Sequence, residues 1–387
     1  ITSEEIEARN FVEGIFDCVV KKINQAQYDQ SRILFELLQN ADDTVNDLDH
    51  YGEDINERTR FIVVDSYDES EGRPSIHVSH FGRLINESLD KANEGKFSND
   101  LLNMLLINSS DKDGGSTGRF GLGFKSVYFI CQEPILRSGD LQFKIRGALY
   151  PENVQSDSLH PHETRIELTL NNKAKVDTIY GEFEKNADLQ ALFCKHINEI
   201  VIRGHRYKPE LQKGIPAGTG LYYSGNNKFL KFNLKSGKIV FKVSRFENKV
   251  ESFGESSVSR IWNLTPLETA KTFPFAINSS FEVDIGRKNL DETNELNKSQ
   301  LQNLSKEFIS ILGDIFDAHN GFFSSFLPSI LTQILNGCNT KDSILLNNFC
   351  KNVLVGIYNS KKIIPDGIGG IQTNQTKRCD LSSKDIV

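Results

Sequence analysis

Apolar residues recur every three or four positions near the start of the chain, which is the spacing of an amphipathic helix. The pattern predicts one helix over residues 6–23 and a second over residues 29–41. The apolar stripe of the second helix leaves Glu36 and Asn40 on a common polar side, because residues four apart lie one above the other. A carboxylate beside an amide favours a metal or water site, and an ordinary exposed polar face is the alternative.

Segments with a two-residue period follow and predict strands. Residues 60–66 and 75–79 predict a hairpin, and residues 162–170 predict a strand in which Thr164 shares a face with Ile166 and Leu168. Residues 44–58 have no periodicity and predict a loop. The remaining predicted helices cover residues 84–93, 99–107, 186–198, 301–316 and 322–335, and the remaining predicted strands cover residues 134–136, 141–145, 199–202, several segments of 214–246, and a pair in 273–283.

A glycine-rich segment, TGRFGLGFKSV, spans residues 117–127 and precedes an amphipathic run that begins at Phe124. Gly118, Gly121 and Gly123 would let backbone amides approach an anion, and the following helix would add unpaired N–H groups. The segment is neither a P-loop nor a dinucleotide fingerprint, since it lacks GxxxxGK[ST] and follows a polar loop. It predicts a phosphate site, with a flexible turn as the alternative.

Composition narrows the class of protein. A chain of 387 residues can form two or more domains, and its net charge of -7 argues against general affinity for nucleic acid. Six cysteines without a CxxC pair predict reduced core residues and a cytoplasmic protein. No signal peptide or membrane-length apolar run is visible, and because the chain begins at Ile1 we expect a segment of a longer protein. His160 and His162 lack a third nearby ligand and are interpreted as loop residues.

Four pieces in fixed order carry a family resemblance: ELLQNADD at 36–43, HFG at 80–82, GRFGLGFKS at 118–126, and the strand with Thr164. This order resembles the GHKL, or Bergerat-fold, ATPases, which include DNA gyrase, MutL, histidine kinases and a class of heat-shock chaperones. The wording of the motifs is most similar to the sacsin-type, chaperone-like branch. The resemblance covers residues 5–175 well and 176–300 loosely.

The resemblance implies an α+β fold. Residues 1–175 would form a Bergerat-type two-layer α/β sandwich, with a mixed sheet covered by helices on one face. Residues 176–300 would form a transducer-like α/β domain. Residues 301–387 would be a helical segment and the C-terminal tail of a longer protein.

The resemblance also implies residue roles. Glu36 matches the general base that deprotonates the attacking water, Asn40 matches the amide that holds Mg²⁺, and Asp43 has a supporting role. Thr164 matches the threonine that helps to hold the adenine end. The residues expected to form the phosphate loop and to open its helix are Gly118, Phe120, Gly121, Leu122, Gly123, Phe124, Lys125 and Ser126.

One motif departs from the family. The DxGxG aspartate would accept the adenine amino proton, and the equivalent positions here are His80, Gly82 and Leu84. A neutral imidazole nitrogen can accept that bond and a protonated one cannot; a strand-end histidine at the surface is the alternative. From the second domain, Arg287 or Lys288 would reach the terminal phosphate, unless both are simply exposed.

The function implied is Mg²⁺-dependent ATP binding and slow hydrolysis, with a lid near residues 108–118 and a conformational output. The expected partners are ATP, a protein client or an effector domain of the same chain, and a second copy in an ATP-linked homodimer. A phage or DNA component of an antiviral defence system is a further client. The alternatives are a nucleotide-binding scaffold with little hydrolysis and a MutL- or gyrase-like DNA-processing ATPase.

Overall fold

The structure of the protein is a computed structural model. It describes residues 3–25, 30–89, 100–105, 123–215, 219–254, 258–284, 288–317, 321–360, 364–365 and 371–372. The chain divides into two compact units, Ile1–Lys208 and Pro209–Val387. Both combine helices with a mixed sheet, so the class is α+β as predicted.

The first unit is built on an eight-stranded sheet with the order β5-β4-β3-β6-β2-β1-β7-β8. Every neighbouring pair is antiparallel except β1 and β7. Its helices are α1 (Ser3–Gln25), α2 (Ile33–His50), α3 (Asp100–Leu105) and α4 (Val176–Phe193), with 3-10 helices at Gln30–Arg32 and Phe124–Phe129. Its strands are β1 (Arg60–Asp68), β2 (Arg73–His80), β3 (Ile135–Ser138), β4 (Leu141–Arg146), β5 (Tyr150–Asn153), β6 (Thr164–Thr169), β7 (Glu199–Ile202) and β8 (His205–Tyr207).

Helix α2 is the central buried helix of this unit. It continues to His50, so the loop predicted over 44–58 begins only at Tyr51. The apolar stripe of the helix persists through Val45 and Leu48, both fully or almost fully buried. Burial of an apolar face stabilises a helix more than the composition of its polar face disfavours it, which is why the acidic run 42–50 does not end it.

The predicted helix over 84–93 is not formed in its described part. Residues 84–89 are turns and irregular backbone, and Asn86 has a positive φ of 62°. The Arg83 guanidinium binds the carboxylates of Asp47 and Asp100. The backbone N–H of Asn86 also donates to Asp100. These long-range contacts hold the segment in a turn.

The first unit continues to Lys208, beyond the boundary predicted at residue 175. Strand β7 extends the sheet by pairing parallel to β1, with Arg60 opposite Glu199. Ahead of β7, the Asp42 carboxylate of α2 accepts hydrogen bonds from the backbone N–H groups of Lys195, His196 and Ile197 at 2.8, 2.9 and 2.7 Å. Helix α4 and strand β7 are therefore tied to α2 and the sheet.

The second unit has its own sheet, with the order β15-β14-β16-β12-β11-β10-β9 and with β13 paired to β12. The strands of this sheet are β9 (Glu210–Ile215), β10 (Thr219–Ser224), β11 (Asn227–Asn233), β12 (Gly237–Val243), β13 (Val250–Glu251), β14 (Ile261–Asn263), β15 (Thr265–Pro266) and β16 (Ala276–Ser279). Two further strands of the unit, β17 (Ile364–Pro365) and β18 (Ile371–Gln372), pair with each other. The helices of the second unit are α5 (Glu295–Asp317), α6 (Gly321–Ser324), α7 (Leu327–Cys338) and α8 (Ile344–Ser360).

Aromatic packing joins helix and sheet in the second unit. Phe308 of α5 meets Phe232 of β11 edge-on, with ring centroids 5.0 Å apart. The single helix predicted over 322–335 is two helices, α6 and α7, and the second begins beside Pro328. None of the helices among the described residues is long and apolar enough to cross a membrane.

Candidate functional site

The polar side of α2 faces the end of the glycine-rich segment. A Cβ added to Gly123 would lie 3.1 Å from Glu36 Oε2 and 4.0 Å from Asn40 Oδ1. Glu36 is buried and Asn40 is half-buried. The exposed-face alternative for these two residues is therefore wrong, because Glu36 is buried and the carboxylate and amide oxygens both lie close to the Gly123 backbone.

Gly123 begins the only part of the glycine-rich segment that the structure describes. Gly118, Phe120, Gly121 and Leu122 lie outside the described residues. The predicted helix after Gly123 is the 3-10 helix Phe124–Phe129. Its first turn is closed by Ser126, whose backbone N–H and hydroxyl both donate to the Gly123 carbonyl at 3.2 and 2.8 Å.

Lys125 occupies the second position of this 3-10 helix and is buried. Its ammonium donates to the Asn103 carbonyl of α3 at 3.5 Å, which links the two helices. Burial lowers the pKa of Lys125 to about 8, because removal from water disfavours the charged form. An anion beside this ammonium would restore the charged form.

His80 ends β2 in the interior, so the alternative of a surface histidine is wrong. It pairs with Phe61 of β1 and with Thr164 of β6. Burial, and next the nearby Arg83 charge, lower the pKa of His80 to about 4, against an opposing effect of Glu163. Its ring is therefore neutral at physiological pH, and its buried Nδ1 has no hydrogen-bond partner among the described residues.

Gly82 lies against α2. A Cβ added there would come within 2.1 Å of Thr44 Oγ1 and 3.0 Å of the Thr44 backbone carbon. The N–H of the next residue, Arg83, donates to the Thr44 carbonyl at 3.2 Å. Gly82 is thus required for the close approach of this turn to the helix that carries Glu36 and Asn40.

Thr164 is buried at the start of β6, beside His80. Its hydroxyl shares a hydrogen bond of 2.6 Å with the Ser138 hydroxyl, which also accepts from the backbone N–H of Ile85 at 3.0 Å. Ser138 was not predicted as a site residue. It is distant in sequence from His80, and the two flank Thr164 through the pairing of β6 with β3 on one side and with β2 on the other.

The family model of the Sacsin domain matches residues 18–146. No curated protein matches the chain. The matched sacsin-like region contains α2, the β1–β2 hairpin and the 3-10 helix after Gly123, and therefore holds Glu36, Asn40, His80 and Lys125. Thr164 and strand β7 lie beyond it.

Asp43 is half-buried on α2, seven residues after Glu36 and hence on the same helix face. The neighbouring Asp42, which was not predicted, anchors the turn before β7. No local signal separates the two aspartates, because the backbone groups that bind Asp42 are about 150 positions away in the chain.

The basic residues predicted from the second unit are only partly described. Arg287 lies outside the described residues. The Lys288 backbone N–H donates to Asp284 at 2.7 Å, and its ammonium lies 3.4 Å from Glu268. A contact of either residue with a terminal phosphate stays a prediction.

His160 and His162 lie in the loop before β6, with ring centroids 5.8 Å apart. His160 also meets the Phe81 ring edge-on at 5.7 Å. Across the described residues there is no cluster of three His, Cys, Asp or Glu side chains able to hold a metal ion.

Proposed function

We propose that the sacsin-like region binds ATP with Mg²⁺ and hydrolyses it slowly. The proposal depends on one observation: Glu36 Oε2 and Asn40 Oδ1 both approach the Gly123 backbone, at 3.1 and 4.0 Å from the position of a Cβ. A glycine that ends a phosphate loop would then face a base and a neutral oxygen ligand. This is the arrangement that water-mediated attack on a terminal phosphate requires.

The donor set fits a hard cation. Mg²⁺ prefers oxygen ligands and retains several waters, so a single amide oxygen together with phosphate oxygens is sufficient protein ligation. Asn40 would hold the ion, which when bound supplies charge compensation on the phosphate oxygens. Glu36, buried and close to Gly123, would orient the attacking water and accept its proton.

His80 supports an adenine-binding role at the other end of the site. Its buried Nδ1 without a partner is an unsatisfied polar atom, and such atoms are uncommon unless a ligand or water completes them. The neutral ring would accept a hydrogen bond from the exocyclic amine of adenine in place of the family aspartate. Thr164 and Ser138, adjacent on the sheet, would position the water that accompanies the base.

Phosphate release and ATP binding, measured together, test the proposal. In Glu36→Gln we expect ATP affinity within about threefold of wild type and turnover lowered about 100-fold, because only the proton acceptor is lost. Glu53→Gln, an exposed residue just after α2, is the control and should match wild type. Equal turnover in wild type and Glu36→Gln would exclude hydrolysis at this site, and absence of ATP binding would end the proposal.

A nucleotide-binding scaffold is the second candidate, and the histidine at position 80 favours it. A neutral imidazole accepts a weaker hydrogen bond than a carboxylate does. In that case wild type and Glu36→Gln would bind ATP equally, and neither would release phosphate. We further propose that the output in both cases is a conformational change transmitted to a protein client or to an effector domain.

A further inference from the structure

A cavity of about 530 Å³ is lined in part by Tyr128 and Phe129, the last two residues of the 3-10 helix Phe124–Phe129. None of Glu36, Asn40, His80 or Gly123 lines it. Its walls come from α1, from the two 3-10 helices and the residues just after the second, from the start of β2, and from the turn after β6. This volume lies within the range of pockets that hold small organic ligands.

Side-chain amides hold these walls together. Gln30 donates to the Lys173 carbonyl at 2.8 Å and accepts from the Lys175 N–H at 2.7 Å. Asn171 donates to the Phe129 carbonyl at 3.2 Å through its side chain and to the Ile130 carbonyl at 2.7 Å through its backbone. The two 3-10 helices and the turn after β6 are therefore held together in the free protein, so a ligand would not have to order these walls.

One wall is aromatic. Phe16 of α1 meets Tyr128 edge-on, with ring centroids 5.7 Å apart and planes at 89°. The Tyr128 hydroxyl is buried and has no hydrogen-bond partner among the described residues. Burial raises the pKa of Tyr128, so the hydroxyl remains a neutral donor.

The charged lining residues are both cations, Arg73 and Lys173, and no carboxylate lines the described part of the cavity. Glu71 lies 4.0 Å from Arg73, but both side chains are well exposed, at 57% and 42%. A pair so exposed is weak and competes poorly with a ligand.

We propose that this cavity binds a small organic anion with an aromatic ring, placing its carboxylate near Arg73 and Lys173 and its ring against Phe16 and Tyr128. The proposal is independent of the ATP site, because the two share no lining residue.

Phenylacetate is the probe, and saturation-transfer NMR with the full chain is the measurement. We expect saturable binding at millimolar concentration. The neutral analogue phenylacetamide should bind about tenfold more weakly, as loss of a charge-assisted hydrogen bond predicts. The double variant Arg73→Gln/Lys173→Gln, altered at the rim of the cavity, should show about the same tenfold loss.

Phe16→Leu tests the aromatic wall. We expect phenylacetate affinity in Phe16→Leu to fall about fivefold, because the ring of the ligand loses an aromatic partner. Glu36→Gln should bind phenylacetate like wild type, which separates this cavity from the ATP site. Phenylacetate binding that is absent from wild type, or equal in wild type and the Arg73/Lys173 double variant, would overturn the proposal.

Discussion

Substitution of Gly123 by alanine should affect ATP turnover at the proposed site without affecting the stability of the fold. The φ and ψ of Gly123 are -51° and -66°, which alanine adopts without strain. The new Cβ would lie 3.1 Å from Glu36 Oε2. Carbon and oxygen atoms in ordinary contact lie about 3.4 Å apart or more, so the carboxylate must move by roughly 0.3 Å.

We expect the free energy of unfolding of Gly123→Ala to stay within about 1 kcal/mol of wild type. The reduced entropy of the unfolded chain favours alanine by a few tenths of a kcal/mol, which offsets the tight contact. ATP turnover should fall about tenfold or more, because a misplaced base is costly for catalysis and the methyl group occupies the space beside Glu36 and Asn40.

Gly82→Ala is the matched control with the opposite expectation. Its Cβ would overlap Thr44 at 2.1 Å from the hydroxyl and 2.9 Å from the Thr44 Cβ, and that hydroxyl already donates to the Ala41 carbonyl at 2.8 Å. Overpacking of this kind costs about 1–3 kcal/mol. Urea denaturation followed by circular dichroism, alongside phosphate release, distinguishes the two variants. Full turnover in Gly123→Ala, or a stability loss equal to that of Gly82→Ala, would refute the reasoning.

Three further predictions concern burial and charge in the first unit. Asp42→Ala should lower the free energy of unfolding by about 3 kcal/mol, because three backbone N–H groups lose their carboxylate acceptor. Asp49 is exposed on the same helix, so Asp49→Ala should change the free energy of unfolding little. Similar losses for both variants in urea denaturation would contradict this prediction. The pKa of His80 is about 4 in the folded chain and 6.5 in the unfolded chain. As the pH falls from 6.5 to 4, only the unfolded chain gains a proton at His80, so the free energy of unfolding should fall by ~3 kcal/mol over that range. In His80→Gln this pH dependence of the free energy of unfolding should be lost. The same pH dependence in wild type and His80→Gln would contradict the prediction. At pH 8 about half of Lys125 is uncharged, and a bound phosphate would favour its charged form, so ATP binding should be accompanied by proton uptake. Calorimetry in buffers of different ionisation enthalpy measures this uptake. Lys125→Met should abolish the uptake, and an equal uptake in this variant would exclude Lys125 as its source.

Helices and strands were predictable from the sequence where apolar residues recur with a single clear spacing. The β1–β2 hairpin and the buried face of β6 follow from two-residue alternation, and the start of α2 follows from its apolar stripe. The end of α2 was missed because aspartates and asparagines conceal the spacing of Val45 and Leu48. The irregular backbone at 84–89 was missed because Asp100, distant in sequence, holds it.

The site was predictable only through the order of its motifs. No periodicity links Glu36 to Gly123, which are 87 positions apart, and their proximity was expected because the motif order resembles a known family. The partners of Asp42 and of Thr164 depend on sheet pairing and on the turn after α4. Neither carries a local pattern, so both required the folded chain.

The parallel pairing of β7 with β1 has a consequence for dissecting the protein. A fragment ending at residue 175 would retain Glu36, Asn40, His80, Gly123 and Thr164 of the proposed nucleotide site, yet it would leave the backbone groups of Phe61 and Val63 unpaired along one margin of the sheet. Exposed strand margins recruit other chains, and Asp42 would lose the three backbone donors that bind it ahead of β7. We expect such a fragment to self-associate for reasons unrelated to nucleotide, whereas one ending at Lys208 retains β7 and the short strand β8 beside β1.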